Sequence, residues 1–182
     1  MKNILLFILL SISMSYAAQT YPLRTFTDIP ENAYLKDINN ELNSYTGTWK
    51  GSWDNKTIFI IFKKVTNKYD EVFKYYRDYL IGKFKVVDVN GNIMFDNTSL
   101  PDDKVKIEGS GFRKKDNKYS LIYIDDDLCG ASGNIRIIFT DNNKTKLNWE
   151  YFYQNEILTS SCQYYNTGIP QALPKGIILI KQ

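Results

Sequence analysis

Tyr45-Thr46-Gly47-Thr48-Trp49-Lys50-Gly51-Ser52-Trp53 is the stretch of sequence that decides the fold. Successive side chains of a β-strand point to opposite faces, so the three rings and two glycines of this stretch share one face. The threonines, the lysine and the serine share the other face. Glycine relieves crowding where a strand bends and lets neighbouring side chains cross over it. This alternation predicts the first strand of a closed or strongly curled antiparallel sheet, with the rings directed inward.

The chain beyond this strand consists of short alternating segments separated by turn signals. Asn90-Gly91 is the clearest hairpin turn, because both residue types tolerate positive φ. Residues 67–76 are predicted to form a loop or a single helical turn. The further predicted strands cover residues 57–66, 79–89, 92–96, 104–113, 119–125, 134–140, 144–154, 157–165 and 176–181. This spacing predicts an all-β fold, an antiparallel meander closed or nearly closed into a β-barrel, which removes exposed strand edges.

Residues 1–18 have the features of a secretory signal peptide. Lys2 supplies the positive start, an apolar run follows, and Ser15 and Ala17 are small residues at the spacing that a signal peptidase reads. An uncleaved membrane anchor is the alternative. No second apolar run follows, so no stable membrane span is expected after cleavage. The sequence therefore predicts export, to the periplasm or outside the cell.

Residues 19–44 are predicted to lead into a barrel domain that covers residues 45–182. Asp28 is a candidate helix cap, and Glu31 stands at the capping-box position three residues later. Only a turn or two can follow before asparagines interrupt the pattern. We expect a short N-terminal helical turn that plugs one end of the sheet.

Cys129 and Cys162 are the two cysteines of the chain. An even count in an exported protein favours a single disulfide between them. Two separate buried thiols are the alternative. A catalytic cysteine is disfavoured because the chain contains no histidine to activate it.

The Gly47-Thr48-Trp49 opening, with an aromatic residue before it at Tyr45, resembles the G-x-W start of the calycin group. Lipocalins and fatty-acid-binding proteins belong to this group, so the resemblance implies a lipocalin-like barrel that encloses a small hydrophobic ligand. The sequence departs from both families. It lacks the helix pair that follows the first strand of fatty-acid-binding proteins, and it lacks the T-D-Y motif of lipocalins.

The whole chain resembles a family of small exported Bacteroidota proteins with no assigned function. The resemblance lies in residues 19–25 (Gln-Thr-Tyr-Pro-Leu-Arg-Thr), in the Tyr-x-Gly-Thr-Trp-x-Gly-x-Trp strand and in Leu173-Pro174-Lys175. It implies export and supplies no activity.

The composition argues against most kinds of catalysis and against nucleic-acid binding. The net charge is only +3, and the absence of histidine removes the commonest general base. Glu108 and Glu150 both fall on the predicted outer face, where a carboxyl group lacks the raised pKa that a general acid needs. Ser160 and Ser161 have no histidine base. We therefore expect a protein that is not an enzyme and needs no cofactor.

Asp125-Asp126-Asp127 is the densest acidic cluster and a weak candidate for a Ca²⁺ site, because calcium prefers oxygen ligands on a flexible loop. The spacing departs from the D-x-D-x-D loop pattern. The simpler interpretation is a group of solvated carboxylates that cap a turn.

Aromatic residues on the predicted inner faces are the candidate ligand-binding residues. They are Trp49, Trp53, Phe84, Trp149, Tyr151 and Tyr153. Such rings line cavities for apolar ligands, but they also fill the interior of small barrels. Two hypotheses follow: a barrel that binds a small hydrophobic ligand, or a cell-envelope module that binds another protein and has a packed core. A second aromatic group, near the 67–76 loop, is expected to form a rim or a contact patch; it comprises Tyr69, Phe73, Tyr75, Tyr76 and Tyr79.

Overall fold

The structure, a computed structural model, describes residues 19–154 and 158–182. The predicted signal peptide lies outside the described residues. No helix in the described part is long and apolar enough to cross a membrane.

Within these two described ranges, eleven strands form one continuous sheet. Short 3₁₀ turns occur at Leu42–Ser44 and Asp126–Leu128. The strands are β1 (Thr20–Pro22), β2 (Tyr34–Lys36), β3 (Gly47–Trp53), β4 (Lys56–Asp70), β5 (Tyr75–Val87), β6 (Ile93–Asp96), β7 (Ile107–Phe112), β8 (Tyr119–Asp125), β9 (Ala131–Phe139), β10 (Lys146–Gln154) and β11 (Gly176–Lys181).

Eight of these strands close into an antiparallel barrel. The hydrogen-bonded order is β5-β4-β3-β11-β10-β9-β8-β7, and β7 pairs with β5 to complete the ring. Neighbours in the ring are neighbours in the chain except at two places. β11, the last barrel strand, pairs with β3, the first, and β7 pairs with β5 because β6, which also pairs with β5, lies outside the ring. The predicted antiparallel meander and its closure are confirmed, and the architecture is that of a calycin-like barrel.

The predicted alternation of β3 is visible in its contacts. Trp49 is fully buried, and Lys50 beside it is exposed. A Cβ atom on Gly51 would lie 2.6 Å from the Ile177 side chain and 2.9 Å from the Leu179 side chain. Side chains of β11 therefore occupy the space that a larger residue at position 51 would fill, as expected for a glycine on the inner face.

The short N-terminal helical turn forms at Leu42–Ser44 and not after Asp28. The reason lies in the neighbouring contacts. β2 pairs with β5 as a strand, so a helix cannot continue through its residues. The Asp37 carboxylate then accepts hydrogen bonds from the Glu41 and Leu42 amides at 2.7 and 3.1 Å, which places the turn at Leu42–Ser44. The turn buries Leu42 completely in the core. This end of the barrel is thereby closed.

The prediction of a loop or a single helical turn over residues 67–76 is wrong at both ends of the range, because only residues 71–74 form a turn and the others belong to strands. The ladder between β4 and β5 continues to the Asp70–Tyr75 pair after a bulge between Val65 and Lys68. Asn67 takes a φ of 51° at the bulge, a conformation that asparagine tolerates better than most residues. The Asp70 carboxylate then accepts from the Val72 and Phe73 amides and caps the turn.

The strand predicted at 157–165 does not form over residues 158–165, the part of that range that the structure describes. Residues 155–157 lie outside the described residues, and residues 160–167 form successive turns. A disulfide at Cys162 and the hydrogen bonds from the Cys162 amide to Thr159 and from the Tyr165 amide to Cys162 hold this segment instead of a β-ladder.

Candidate functional site

A cavity of about 410 Å³ lies at the end of the barrel opposite the Leu42–Ser44 turn, and we call it the mouth cavity. Its floor comes from β8, β9 and β10 and from the loop after β8, and its cover is the segment that precedes β11. Its lining residues are mainly aromatic and aliphatic: Tyr123, Leu128, Ala131, Tyr151, Tyr153, Ile169, Pro170, Gln171, Ala172, Leu173 and Lys175.

Two buried tyrosines form the floor of the mouth cavity. The rings of Tyr123 and Tyr151 are nearly perpendicular, with centroids 5.8 Å apart. The Tyr123 hydroxyl donates to the Asp125 carboxylate at 2.8 Å, and the Tyr151 hydroxyl donates to the Ser132 carbonyl at 3.0 Å. Burial, together with the negative charge of Asp125, raises the pKa of Tyr123 far above its ordinary value. Tyr123 is therefore a fixed, neutral part of the wall.

Residues 169–175, which we call the roof, are attached to β10 by hydrogen bonds. The Trp149 indole donates to the Pro174 carbonyl at 2.9 Å, and the Tyr151 amide donates to the Lys175 carbonyl at 2.7 Å. Ala172 and Leu173, in the middle of the roof, are buried. Pro170 and Pro174 have fixed φ angles and restrict the conformation of the residues that precede them. The roof is therefore an ordered cover.

The predicted disulfide between Cys129 and Cys162 is confirmed, with Cα atoms 5.7 Å apart. It links the loop after β8 to the turns that precede the roof. Cys129 ends the Asp126–Leu128 turn in a left-handed conformation, with φ of 57°. The disulfide thus joins the floor side of the mouth cavity to the segment that covers it.

A family model described as a family of unknown function (DUF6705) matches residues 1–182. The chain belongs to DUF6705. The predicted whole-chain resemblance to a family without assigned function is confirmed at this level. No curated protein and no solved structure matches the chain significantly.

The predicted ligand-binding residues of this DUF6705 protein fall into separate places. Tyr151 and Tyr153 line the mouth cavity. Trp49, Phe84 and Trp149 are buried in the middle of the barrel and belong to its packed core. Trp53 is half-buried, with the Lys56 ammonium 5.6 Å from its ring centroid. The structure therefore brings two of the six together at a cavity.

Sequence reasoning missed most of the wall of the mouth cavity. Tyr123 and Leu128 lie on either side of the acidic cluster Asp125-Asp126-Asp127. The three carboxylates predict a solvated turn, so the sequence does not indicate an apolar wall at this place. The roof of the DUF6705 chain has no strand periodicity. The sequence feature that could have identified the roof is the pair of prolines, Pro170 and Pro174, with two apolar residues between them. Such a pattern indicates an ordered segment without regular secondary structure.

The carboxylates of Asp125 and Asp127 both bind the Lys106 ammonium, at 2.6 Å each. Asp125 is 2% exposed and also caps the Asp126–Leu128 turn through the Asp127 amide. Burial lowers the pKa of Lys106, but the hydrogen bonds to the two carboxylates outweigh it and raise the pKa overall. Among the described residues, no group of three or more metal-ligating side chains is arranged around a common point.

Glu108 and Glu150 are each engaged by a basic side chain. Glu108 accepts from the Arg77 guanidinium at 2.6 Å, and Glu150 accepts from the Lys118 ammonium at 2.6 Å. The hydrogen bond from Lys118 holds the pKa of Glu150 below its ordinary value. This is the opposite of the shift that a general acid requires.

Proposed function

We propose that this protein is an exported, non-catalytic binding protein that holds a small hydrophobic ligand in the mouth cavity. The observation that carries the proposal is the mouth cavity itself, about 410 Å³ in volume and lined largely by aromatic and aliphatic side chains beneath an ordered roof. Ligand pockets in proteins range from roughly 300 to 1,000 Å³ and are mostly apolar. The volume and the lining both suit such a ligand.

The barrel interior supports placing the ligand at the mouth and not deeper. Large side chains with almost no solvent exposure occupy the interior, including Trp49, Trp149, Phe62 and Phe84. Small barrels are usually filled by side chains in this way. The ligand therefore lies between the floor tyrosines and the roof.

Export is supported by the disulfide and by the sequence of residues 1–18. Disulfides persist in oxidising compartments and are rare in the cytosol. The Cys129–Cys162 bond fits such a location.

Calorimetric titration of the purified mature domain with neutral ligands tests the proposal. The panel contains an alkyl alcohol, a sterol-like molecule and an oligosaccharide. We expect saturable binding of an apolar member. Tyr153→Ala removes a ring from the wall of the mouth cavity and is expected to weaken binding about threefold to tenfold, which corresponds to about 1 kcal/mol. Saturable binding of no apolar ligand, whether neutral or charged, would refute the proposed function.

Phe152→Ala is the matched control for Tyr153→Ala. Phe152 is the preceding residue of β10, and its side chain is 45% exposed against 44% for Tyr153. It lies on the outer face and does not line the mouth cavity. We expect this variant to bind the ligand as the native protein does. Equal loss in both variants would show that the effect is not specific to the cavity.

A cell-envelope protein-interaction module with a packed core is the second candidate. The observation that favours it is the tip of the β4–β5 hairpin, where Val72 is 84% exposed and Phe73 is 58% exposed. The predicted aromatic contact patch is only partly exposed, because Tyr79 is buried and the rings of Tyr69 and Tyr76 pack against each other. Site-specific photo-crosslinking from position 73 in the cell envelope, together with an absence of ligand binding, would favour this candidate.

A further inference from the structure

One charged side chain lines the mouth cavity in the part of the chain that the structure describes. Among the described residues that line it, Lys175 is the only lysine or arginine, and none is an aspartate or a glutamate. Within residues 19–154 and 158–182, the Lys175 ammonium makes neither an ion pair nor a hydrogen bond. A single unpaired ammonium at the edge of an apolar cavity attracts anionic groups and repels cationic ones.

The backbone directs Lys175 toward the cavity. Its carbonyl accepts from the Tyr151 amide, which extends the β10–β11 ladder by one residue beyond Gly176. Lys175 precedes Ile177 and Leu179 by an even number of positions, and both of these side chains pack against the core. Because alternate residues of a strand share a face, Lys175 continues the inner face at the open end.

The Tyr153 hydroxyl is a second donor at the edge of the mouth cavity. It has no hydrogen-bond partner among the described residues. The other polar groups of the wall are engaged, since Tyr123 donates to Asp125, Tyr151 donates to Ser132, and the Gln171 amide donates to the Leu173 carbonyl. Donors without partners therefore occur at the edge of the cavity, while the floor presents ring surfaces.

We infer that the mouth cavity selects amphipathic ligands with an anionic head group, such as a carboxylate or a sulfate on an aliphatic tail. The tail lies against Tyr123 and Tyr151 beneath the roof, and the head group meets the Lys175 ammonium and the Tyr153 hydroxyl. This inference rests on the proposed ligand-binding function. An ion pair that stays partly exposed increases affinity by up to about fivefold.

Three ligands that share a ten-carbon tail test the inference: decanoate, decanol and decyltrimethylammonium, each titrated calorimetrically below its aggregation concentration. We expect decanoate to bind most tightly and decyltrimethylammonium most weakly. Raising the ionic strength from about 20 mM to about 0.5 M shortens the screening length several-fold. It should weaken decanoate binding and leave decanol binding nearly unchanged.

Variants at position 175 assign the preference to this side chain. Lys175→Met should lower the ratio of decanoate affinity to decanol affinity by about threefold to fivefold. Lys175→Arg should keep the ratio, and Lys175→Glu should shift the preference toward decyltrimethylammonium. Lys114→Met is the control, because Lys114 is an exposed lysine in the β7–β8 turn at the closed end of the barrel.

The outcomes separate this inference from the proposed function. Failure of all three ligands and of the neutral panel would overturn both. Equal binding of the three ligands, or a decanoate-to-decanol ratio unchanged in Lys175→Met, would overturn the charge preference and leave the proposed function standing. If Lys175→Met fails to fold, the salt dependence and Lys175→Glu still decide the matter, since decanoate binding insensitive to salt contradicts the inference.

Discussion

Trp49 and Lys50 are chain neighbours whose side chains meet opposite environments. Trp49 is fully buried and its indole donates to the Tyr45 carbonyl at 2.7 Å, whereas Lys50 is exposed. We expect Trp49→Ala to lower the free energy of unfolding by about 3–5 kcal/mol, because it leaves a large cavity and a carbonyl without its donor. Lys50→Ala should stay within about 0.5 kcal/mol of native. Denaturant melts measure both, and equal losses would contradict the inward assignment of Trp49.

The buried Tyr45 phenol makes the free energy of unfolding depend on pH in the alkaline range. Burial raises its pKa from 10.0 to about 12, although the nearby Arg24 charge lowers it. The folded state therefore holds the phenol proton more tightly than the unfolded state. The resulting stabilisation is fully present below about pH 10 and is lost as the pH rises through about 12.

Tyr45→Phe keeps the ring and removes the titrating proton. We expect the free energy of unfolding of this variant, relative to native, to rise by about 2 kcal/mol between about pH 8 and about pH 12. Other buried tyrosines titrate in both proteins and cancel in the difference. Melts at a series of pH values provide the measurement. A difference that does not change with pH would show that Tyr45 does not contribute to the alkaline loss of stability.

At the scale of the structural elements, the disulfide is expected to stabilise the fold strongly. Cys129 and Cys162 are 33 residues apart, and closing a loop of that length stabilises a fold by about 3–4 kcal/mol in the chain-entropy model. We expect the Cys129→Ala/Cys162→Ala double variant to lose about this much, measured by denaturant unfolding. Native protein treated with a reductant should show a similar loss. A double variant as stable as native would mean that the bond constrains a segment that is already rigid.

The sequence reveals strands where side chains alternate and fails where other interactions set the backbone. β3 and β10 were predicted closely, because one face of each is apolar. The β4–β5 extension was missed since it depends on the bulge at Asn67 and on the cap from Asp70. The roof was missed because its position depends on bonds to Trp149 and Tyr151, which are distant in the chain. Tyr151 and Tyr153 were identified from alternation alone.

For the molecule as a whole, barrel closure depends on two short ladders. β5 and β7 share two residue pairs, as do β3 and β11. By contrast, β8 and β9 share seven. Local opening follows the weakest cooperative contacts. In native-state hydrogen exchange, we expect amides along the two short ladders to exchange at least about tenfold faster than those between β8 and β9. Uniform protection around the ring would indicate that the barrel opens only by global unfolding.

The position of β11 has a consequence for how the protein is produced. β11 lies between β3 and β10 and is the last barrel strand in chain order. During synthesis, the other seven strands emerge before their ring has a final member. Until Gly176–Lys181 follows, β3 and β10 each present a row of unpaired amides and carbonyls to any other chain nearby. A nascent chain that has made β3 and β10 but not yet β11 is therefore vulnerable to edge-to-edge aggregation.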